Sequence, residues 1–322
     1  MNEEILRVND LAVHFYVGDR VIPAVDGVSF SLGKGETLGI VGESGCGKSV
    51  TALSIMRLLQ TPPARIVNGE ILFKREDLLS KSDEEMRKIR GKDISMIFQE
   101  PMTSLNPVFT IGQQISEVFI QHQNLSKREA LSKAVEMLKM VRIPLPERVI
   151  KQYPHQLSGG MRQRVMIAMA LACEPAIIIA DEPTTALDVT VEAQILELIN
   201  ELKSRMNSSI IMISHDLGIV SEVADKVAVM YSGRIVEYGD VHSIFTEPKH
   251  PYTKGLLDAI PDMDMSRDEK LREIRGVVPL PDEIKKGCRF KTRCDCVNES
   301  CLIKEPPLLE IGTNLVRCWN YA

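Results

Sequence analysis

The chain has 322 residues, 44% of them hydrophobic and 26% charged, a composition that suits roughly two globular domains. Its formal net charge of −5 argues against a general cationic surface for nucleic acid or acidic lipid. The longest apolar run, Val165 to Ala180, is broken by Glu174 and Pro175 and falls short of the about 20 residues that cross a bilayer, while the acidic Met1-Asn2-Glu3-Glu4 start lacks the positive charge of a secretory leader, so the cytosol is the expected compartment.

Alternation in Ile5-Leu6-Arg7-Val8 and Val28-Ser29-Phe30-Ser31-Leu32, then the apolar run Thr37 to Val41, predicts strands over residues 5–41. The last strand runs into Gly42-Glu43-Ser44-Gly45-Cys46-Gly47-Lys48-Ser49, which fills G-x-x-x-x-G-K-[ST] at every fixed position. Val50 to Leu59 continues as a helix, closed by Pro62-Pro63. Strand, glycine loop, helix is the order a phosphate loop needs. The glycines let backbone N–H groups converge on phosphate oxygens at a helix N-terminus, Lys48 reaches the β- and γ-phosphates, and Ser49 ligates Mg²⁺. Cys46 reads as a small filler within the loop.

Residues 80–98 give a charged helix and then the strand Ile94 to Phe98, and residues 107–170 are dominated by helical periodicity, as a helical subdomain set into an α/β core. Beyond 176, strand and helix alternate: Ile177-Ile178-Ile179, a helix over Glu192 to Arg205, then Ile210-Ile211-Met212-Ile213, the pattern of a mostly parallel buried sheet. Residues 227–239 read as a hairpin around Ser232-Gly233. The chain then turns proline-rich through Pro248, Pro251, Pro261, Pro279 and Pro281, which sets a boundary near 260.

Three polar positions follow strand ends. Ala176 to Ala180 runs into Asp181-Glu182, where Asp181 is expected to hold Mg²⁺ through water and Glu182 to polarise an attacking water as general base; a surface Asp-Glu pair would look the same in isolation. His215 lies just past Ile211-Met212-Ile213-Ser214, a position where a lone histidine is more often structural. Gln99 follows Ile94 to Phe98, where an ordinary turn residue would also be polar.

The octapeptide Leu157-Ser158-Gly159-Gly160-Met161-Arg162-Gln163-Arg164 resembles the signature sequence of the ATP-binding cassette (ABC) family. Met161 stands where the wider family usually has Gln, as is common in its oligopeptide and dipeptide permease branch. The resemblance implies an α/β fold: a P-loop NTPase ABC ATPase core over residues 1–260, a helical subdomain at about 100–170, and a small Cys-containing C-terminal extension over 261–322. It implies that Gly42, Ser44, Gly45, Cys46, Gly47, Lys48, Ser49 and Val50 surround the phosphates of ATP. Gln99 becomes the Q-loop glutamine that reaches Mg²⁺ and the water, and His215 the switch histidine at the γ-phosphate. Thr184-Thr185-Ala186-Leu187-Asp188 resembles the D-loop. Phe15 aligns best with the aromatic that stacks on adenine, with Tyr16 as the neighbour an uncertain register leaves open. Ser158 and Gly160 would contact the γ-phosphate held by an opposite subunit, so two chains sandwich two nucleotides head to tail.

The stretches Pro248 to Leu257, Gly276-Val277-Val278-Pro279 and Gly287-Cys288-Arg289-Phe290 resemble the C-terminal extension of ATPase subunits from oligopeptide, dipeptide and nickel importers. The implied activity is ATP hydrolysis coupled to uptake of short peptides at the cytoplasmic face of the plasma membrane, with nickel or another small solute as the alternative cargo. The implied partners are a second ABC ATPase subunit, in a homo- or heterodimer, two transmembrane permease subunits and, through them, an extracytoplasmic peptide-binding protein, with no nucleic acid. A soluble repair or translation ATPase of the same family is the rival class, but those carry a very long coiled-coil insertion or a second cassette. Of seven cysteines, Cys46 and Cys173 stand alone while Cys288, Cys294, Cys296, Cys301 and Cys318 crowd the tail, and in a reducing compartment metal binding is expected before disulfides. Cys288, Cys294, Cys301 and Cys318 sit at the family positions. Four loop thiolates can enclose Zn²⁺ or an iron–sulfur cluster; the absence of C-x-x-C pairs and of a nearby histidine favours a [4Fe–4S] cluster, with Cys296 able to replace Cys294.

Overall fold

The computed structural model describes residues 3–100, 104–185, 188–259, 274–284 and 286–322. The boundary expected near 260 lies outside the described residues, as do Ala186 and Leu187 of the expected D-loop. Two compact units are present, one of Met1–Gly33, Thr37–Leu79 and Met212–Ala322, the other of Lys34–Glu36 and Ser80–Ile211.

In the first unit the strands Glu4–Val17 and Arg20–Gly33 form a long antiparallel hairpin, and Glu4–Val17 pairs on its other edge with Ala64–Phe73. Leu6 and Val8 face the core, yet so do Leu11 and Val13. The change of parity is made by irregular register between Val8 and Leu11, where Asp10 turns left-handed at φ 46°. An extra residue at such a bulge exchanges the two faces of the strand, so both ends of one long strand serve one core.

The strand Thr37–Val41 is buried along its length and pairs in parallel with Lys226–Tyr231. Lys226–Tyr231 turns back through Ser232 and Gly233, both left-handed at φ 45° and 81°, to pair with Arg234–Asp240, the turn chemistry that matches hairpin twist. The C-terminal strand Asn314–Val316 then adds to Arg234–Asp240 and is itself paired with Leu309–Ile311. One apolar cluster joins Val41, Val227, Val229, Tyr231 and Tyr252 to Phe290. The described tail therefore shares the core under the phosphate loop. The helix after that loop, Lys48–Ile55, ends before the expected Leu59 because Arg57 adopts φ 49°.

In the second unit Ile94–Ile97 and Ile177–Asp181 pair in parallel, Ile94 opposite Ile177 and Ile97 opposite Ala180, with every residue buried; burial on both faces is why these runs are apolar without alternation. The helical insertion comprises Ile111–Gln123, Lys127–Met140 and Gly159–Leu171. The first two start at capping boxes, Thr110 with Gln113 and Ser126 with Glu129, each satisfying two N–H groups that the helix leaves without partners. Asp188 caps the helix Val189–Met206, and the strand Ser209–Ser214 carries the chain back to the first unit. Among the described residues no helix is long and apolar enough to cross a membrane.

Candidate nucleotide site

The phosphate loop is shaped by its glycines. Gly47 has φ 103°, and a Cβ there would stand 2.5 Å from the Ala24 carbonyl oxygen; at Gly42, φ 149°, it would stand 2.2 Å from that of Met230. Neither position admits a side chain. Gly47 is also the N-cap of Lys48–Ile55 and provides no side-chain cap, and the dipole at such a helix N-terminus favours an anion. Lys48 is buried and donates to Gly42 O at 2.8 Å and Glu43 O at 3.3 Å. Ser44 and Gly45 are exposed, Ser49 and Val50 half-buried. Cys46 is buried, its thiol pushed up by desolvation, and its carbonyl accepts the Gly233 N–H at 2.9 Å. That makes it a neutral packing residue braced by the hairpin turn. Phe15 is half-buried in Glu4–Val17, opposite Ile22 and Ala64, whereas Tyr16 is 45% exposed. His215 is exposed between two fixed points: the Asp216 N–H donates to Ser214 Oγ at 2.9 Å, and the Asp216 carboxylate caps the next helix by accepting from Gly218 and Ile219.

The second unit carries the carboxylates. Asp181 ends the strand Ile177–Asp181 and is buried. Glu182 follows with φ 46°, a left-handed conformation that costs a side-chain-bearing residue about 1–2 kcal/mol. Its Oε2 accepts from Gln99 Nε2 at 3.0 Å and from Thr185 Oγ1 at 3.0 Å. The parallel register of Ile94–Ile97 with Ile177–Asp181 places the two strand ends side by side, which brings Gln99 to Glu182. Sequence reasoning missed Thr185 as a partner of the carboxylate; its signal was a hydroxyl three residues beyond Glu182. It also missed Tyr252, whose hydroxyl accepts the Glu43 N–H at 2.9 Å.

Ser158 is the N-cap of Gly159–Leu171, its hydroxyl accepting from the Met161 N–H at 3.3 Å, and it is exposed. Gly160 lies against the helix Val189–Met206, where an added Cβ would meet Val191 Cγ1 at 2.9 Å.

The tail cysteines are all free thiols. Among the described residues no three Cys, His, Asp or Glu side chains stand at the spacing of a single metal ion, so four thiolates converging on one point, as anticipated for Cys288, Cys294, Cys301 and Cys318, is not what the structure presents. Desolvation raises the Cys288 thiol to about 12 and the Cys294 thiol to about 11, and pushes Cys318 up as well. As neutral thiols they have no charge to draw toward a common centre. Three of the sulfurs instead accept backbone N–H groups from two residues on: Cys288 from Phe290, Cys294 from Cys296 and Cys318 from Asn320.

The ABC transporter family matches residues 25–185, and the family described as the C-terminal region of oligopeptide/dipeptide transporters matches residues 236–301. The chain is 54% identical over 318 residues to the oligopeptide transport ATP-binding protein AppD of Bacillus subtilis (strain 168), covering 98% of this chain and 97% of that protein. It is 52% identical over 318 residues to the dipeptide transport ATP-binding protein DppD of the same organism, covering 98% and 95%. Among solved structures, the dimeric post-hydrolysis state of the ATP-binding cassette MJ0796 with ADP and Pi superposes with a TM-score of 0.66 at 28% identity, over 74% of this chain and 99% of that one. With glycine loop, carboxylate-ended strand and signature helix all inside the matched ABC transporter region, and the tail matched beyond it, the chain belongs to the ABC transporter family as an ATP-hydrolysing, ATP-binding subunit of the oligopeptide/dipeptide branch.

Proposed function

We propose that this chain energises uptake of di- and oligopeptides across the plasma membrane, as one of two ATPase subunits seated on two permease subunits that receive cargo from an extracytoplasmic peptide-binding protein. The observation that carries the cargo class is the match along nearly the full length, tail included, to subunits named for oligopeptide and dipeptide transport.

Within the subunit, Lys48 and the loop N–H groups of Gly45, Gly47, Lys48 and Ser49 hold the phosphates, and Phe15 stacks on adenine. Ser49, Asp181 and Gln99 would hold Mg²⁺, which when bound neutralises charge on the β- and γ-phosphate oxygens. Glu182 takes the proton from a water whose oxygen bonds to the γ-phosphorus as the bond to the ADP oxygen breaks. Its carboxylate suits that role, since Gln99 and Thr185 fix one oxygen and the left-handed backbone sets its aim. His215 steadies the γ-phosphate and the water. The exposed Ser158 and neighbouring Gly160 complete the site of the opposite subunit. Phe109, 46% exposed, lines an apolar groove with Ile120, Leu131 and Ile150 in the helical insertion, a surface suited to a permease loop.

A [4Fe–4S] centre at Cys288, Cys294, Cys301 and Cys318 is part of the same reading. Burial keeps these thiols protonated, but the backbone N–H groups aimed at three of the sulfurs would stabilise their thiolates once iron displaced the protons. The absence of C-x-x-C pairs among these cysteines suits the larger cube better than one zinc ion. Bound, it would cross-link the tail.

The base assignment is tested with Glu182→Gln in the assembled complex. ATP binding is retained, turnover falls by at least about 10²-fold, and the subunits stay paired on ATP; unchanged turnover removes the assignment. Loss of labelled dipeptide uptake on deletion of the gene, with nickel uptake intact, is the expected cargo result. Anaerobically purified protein should contain iron and labile sulfide; stoichiometric zinc in their place would replace the cluster.

A further inference from the structure

The phosphate loop contains a carboxylate where a polyanion must bind. Glu43 is the second residue of that loop, its side chain 28% exposed, and left alone it would repel the phosphates of ATP. It is not left alone. Arg293, from the tail and 5% exposed, grips it with both terminal nitrogens, Nη1 to Oε2 at 2.5 Å and Nη2 to Oε1 at 3.0 Å. The rest of the guanidinium is also committed: Nε donates to the Arg275 carbonyl at 2.9 Å and Nη2 to that of Ile274 at 3.3 Å. A two-point fork of this kind fixes direction as well as charge.

Glu43 is thereby held at three places. Arg293 takes the carboxylate, Tyr252 accepts the N–H, and Lys48 donates to the carbonyl. The tail segment that supplies Arg293 is itself locked to the same unit. Phe290 packs edge-on to Tyr231 and beside Tyr252, with ring centroids 5.2 Å and 5.4 Å apart, and Arg289 pairs with Asp26 and donates to the Ser232 carbonyl. Next to Ser232, Gly233 donates to Cys46 O, so the tail supports the loop at its far end too.

We propose that Arg293 is a positioning residue for ATP binding: from the C-terminal tail it neutralises Glu43 and orients it away from the phosphate path, so that the loop accepts a polyanion. It acts through Glu43 and touches neither nucleotide nor water. The inference concerns binding of ATP and is independent of the cargo and of any group held by the cysteines.

The test measures the dissociation constant of a fluorescent ATP analogue and the steady-state kcat and KM for ATP on the full-length chain in its complex. Arg293→Ala should weaken binding and raise KM by about tenfold while kcat at saturating ATP changes by less than about twofold, the split expected when only uniform binding is lost. Arg293→Lys keeps a charge without the fork and should fall between. The decisive variant is the double change Arg293→Ala with Glu43→Gln. Removing the stranded carboxylate should recover most of the lost affinity, which mere loosening of the tail would not permit. Glu43→Gln alone leaves the tail intact and should bind ATP as well as the unmodified chain or better, so it decides the matter even if Arg293→Ala does not fold. The proposal is overturned if Arg293→Ala binds ATP normally, if the double variant is as weak as the single one, or if Glu43→Gln by itself weakens binding.

Discussion

Replacing His250 with Asn should make the first unit less sensitive to acid. His250 is 2% exposed and is the N-cap of the helix Pro251–Asp258. Its Nδ1 accepts the Tyr252 N–H at 3.0 Å and its other ring nitrogen donates to the Arg317 carbonyl, which fixes a neutral tautomer. Burial lowers the imidazole from 6.5 to about 3. The unfolded chain therefore binds this proton more readily than the folded one. The resulting stability is present in full above pH about 6.5, falls by about 1.4 kcal/mol per pH unit below it, and levels off near the folded value of about 3. Between pH 7.5 and pH 5 the loss from this residue is about 2 kcal/mol. Asn keeps an acceptor for the helix N-terminus but does not titrate. The assay is denaturant unfolding at the two pH values, followed by fluorescence of Trp319, the single tryptophan, whose Nε1 donates to the Lys304 carbonyl at 2.8 Å in the tail. The unmodified chain should lose about 2 kcal/mol more than His250→Asn. Equal losses would refute the argument, because carboxylates common to both cancel in the comparison.

Gly47→Ala forces a Cβ to 2.5 Å from the Ala24 carbonyl at φ 103° and should cost at least about 2 kcal/mol, seen as a lower Tm and as lost binding of fluorescent ATP. Ser158→Arg should leave ATP binding to its own chain intact while lowering hydrolysis by the dimer by about 10²-fold, as expected when a phosphate-facing donor is replaced; equilibrium binding and phosphate release distinguish the two. Phe15→Ala should weaken ATP binding by about 2- to 10-fold, the worth of one aromatic stack of about 0.5–1.5 kcal/mol, with Tyr16→Ala neutral in the same titration. The reverse result would move the adenine to the more exposed ring.

What could be read from the sequence was what local chemistry dictates. The glycine loop, the carboxylates after an apolar strand and the Ser-Gly-Gly helix start each use residues within a few positions of one another, so their elements were legible. Helix capping was equally local, as Thr110 with Gln113 shows. The bulge at Asp10 was not legible, because alternation on each side of it is regular and only the change of parity betrays an extra residue. Nor was the left-handed Glu182, whose conformation follows from the geometry of the turn. The hardest to see were partners far apart in the chain. Arg293 and Glu43 are separated by 250 residues, and no periodicity links them. The place of the tail was hidden for the same reason: its Phe290 completes an aromatic cluster begun by Tyr231 and Tyr252, which stand well before it in the chain.

Gly160 packs so closely on Val191 that even a methyl group would have to displace it. Val191 lies in the first turn of the helix capped by Asp188, a few residues beyond Glu182, and its own N–H donates to the Asp188 carboxylate at 3.0 Å. The start of the helix Gly159–Leu171 and the first turn of the helix Val189–Met206 therefore meet with no room for a side chain between them. A larger residue at Gly160 would be felt at both helix starts at once, the exposed serine on one and the Asp188 cap on the other.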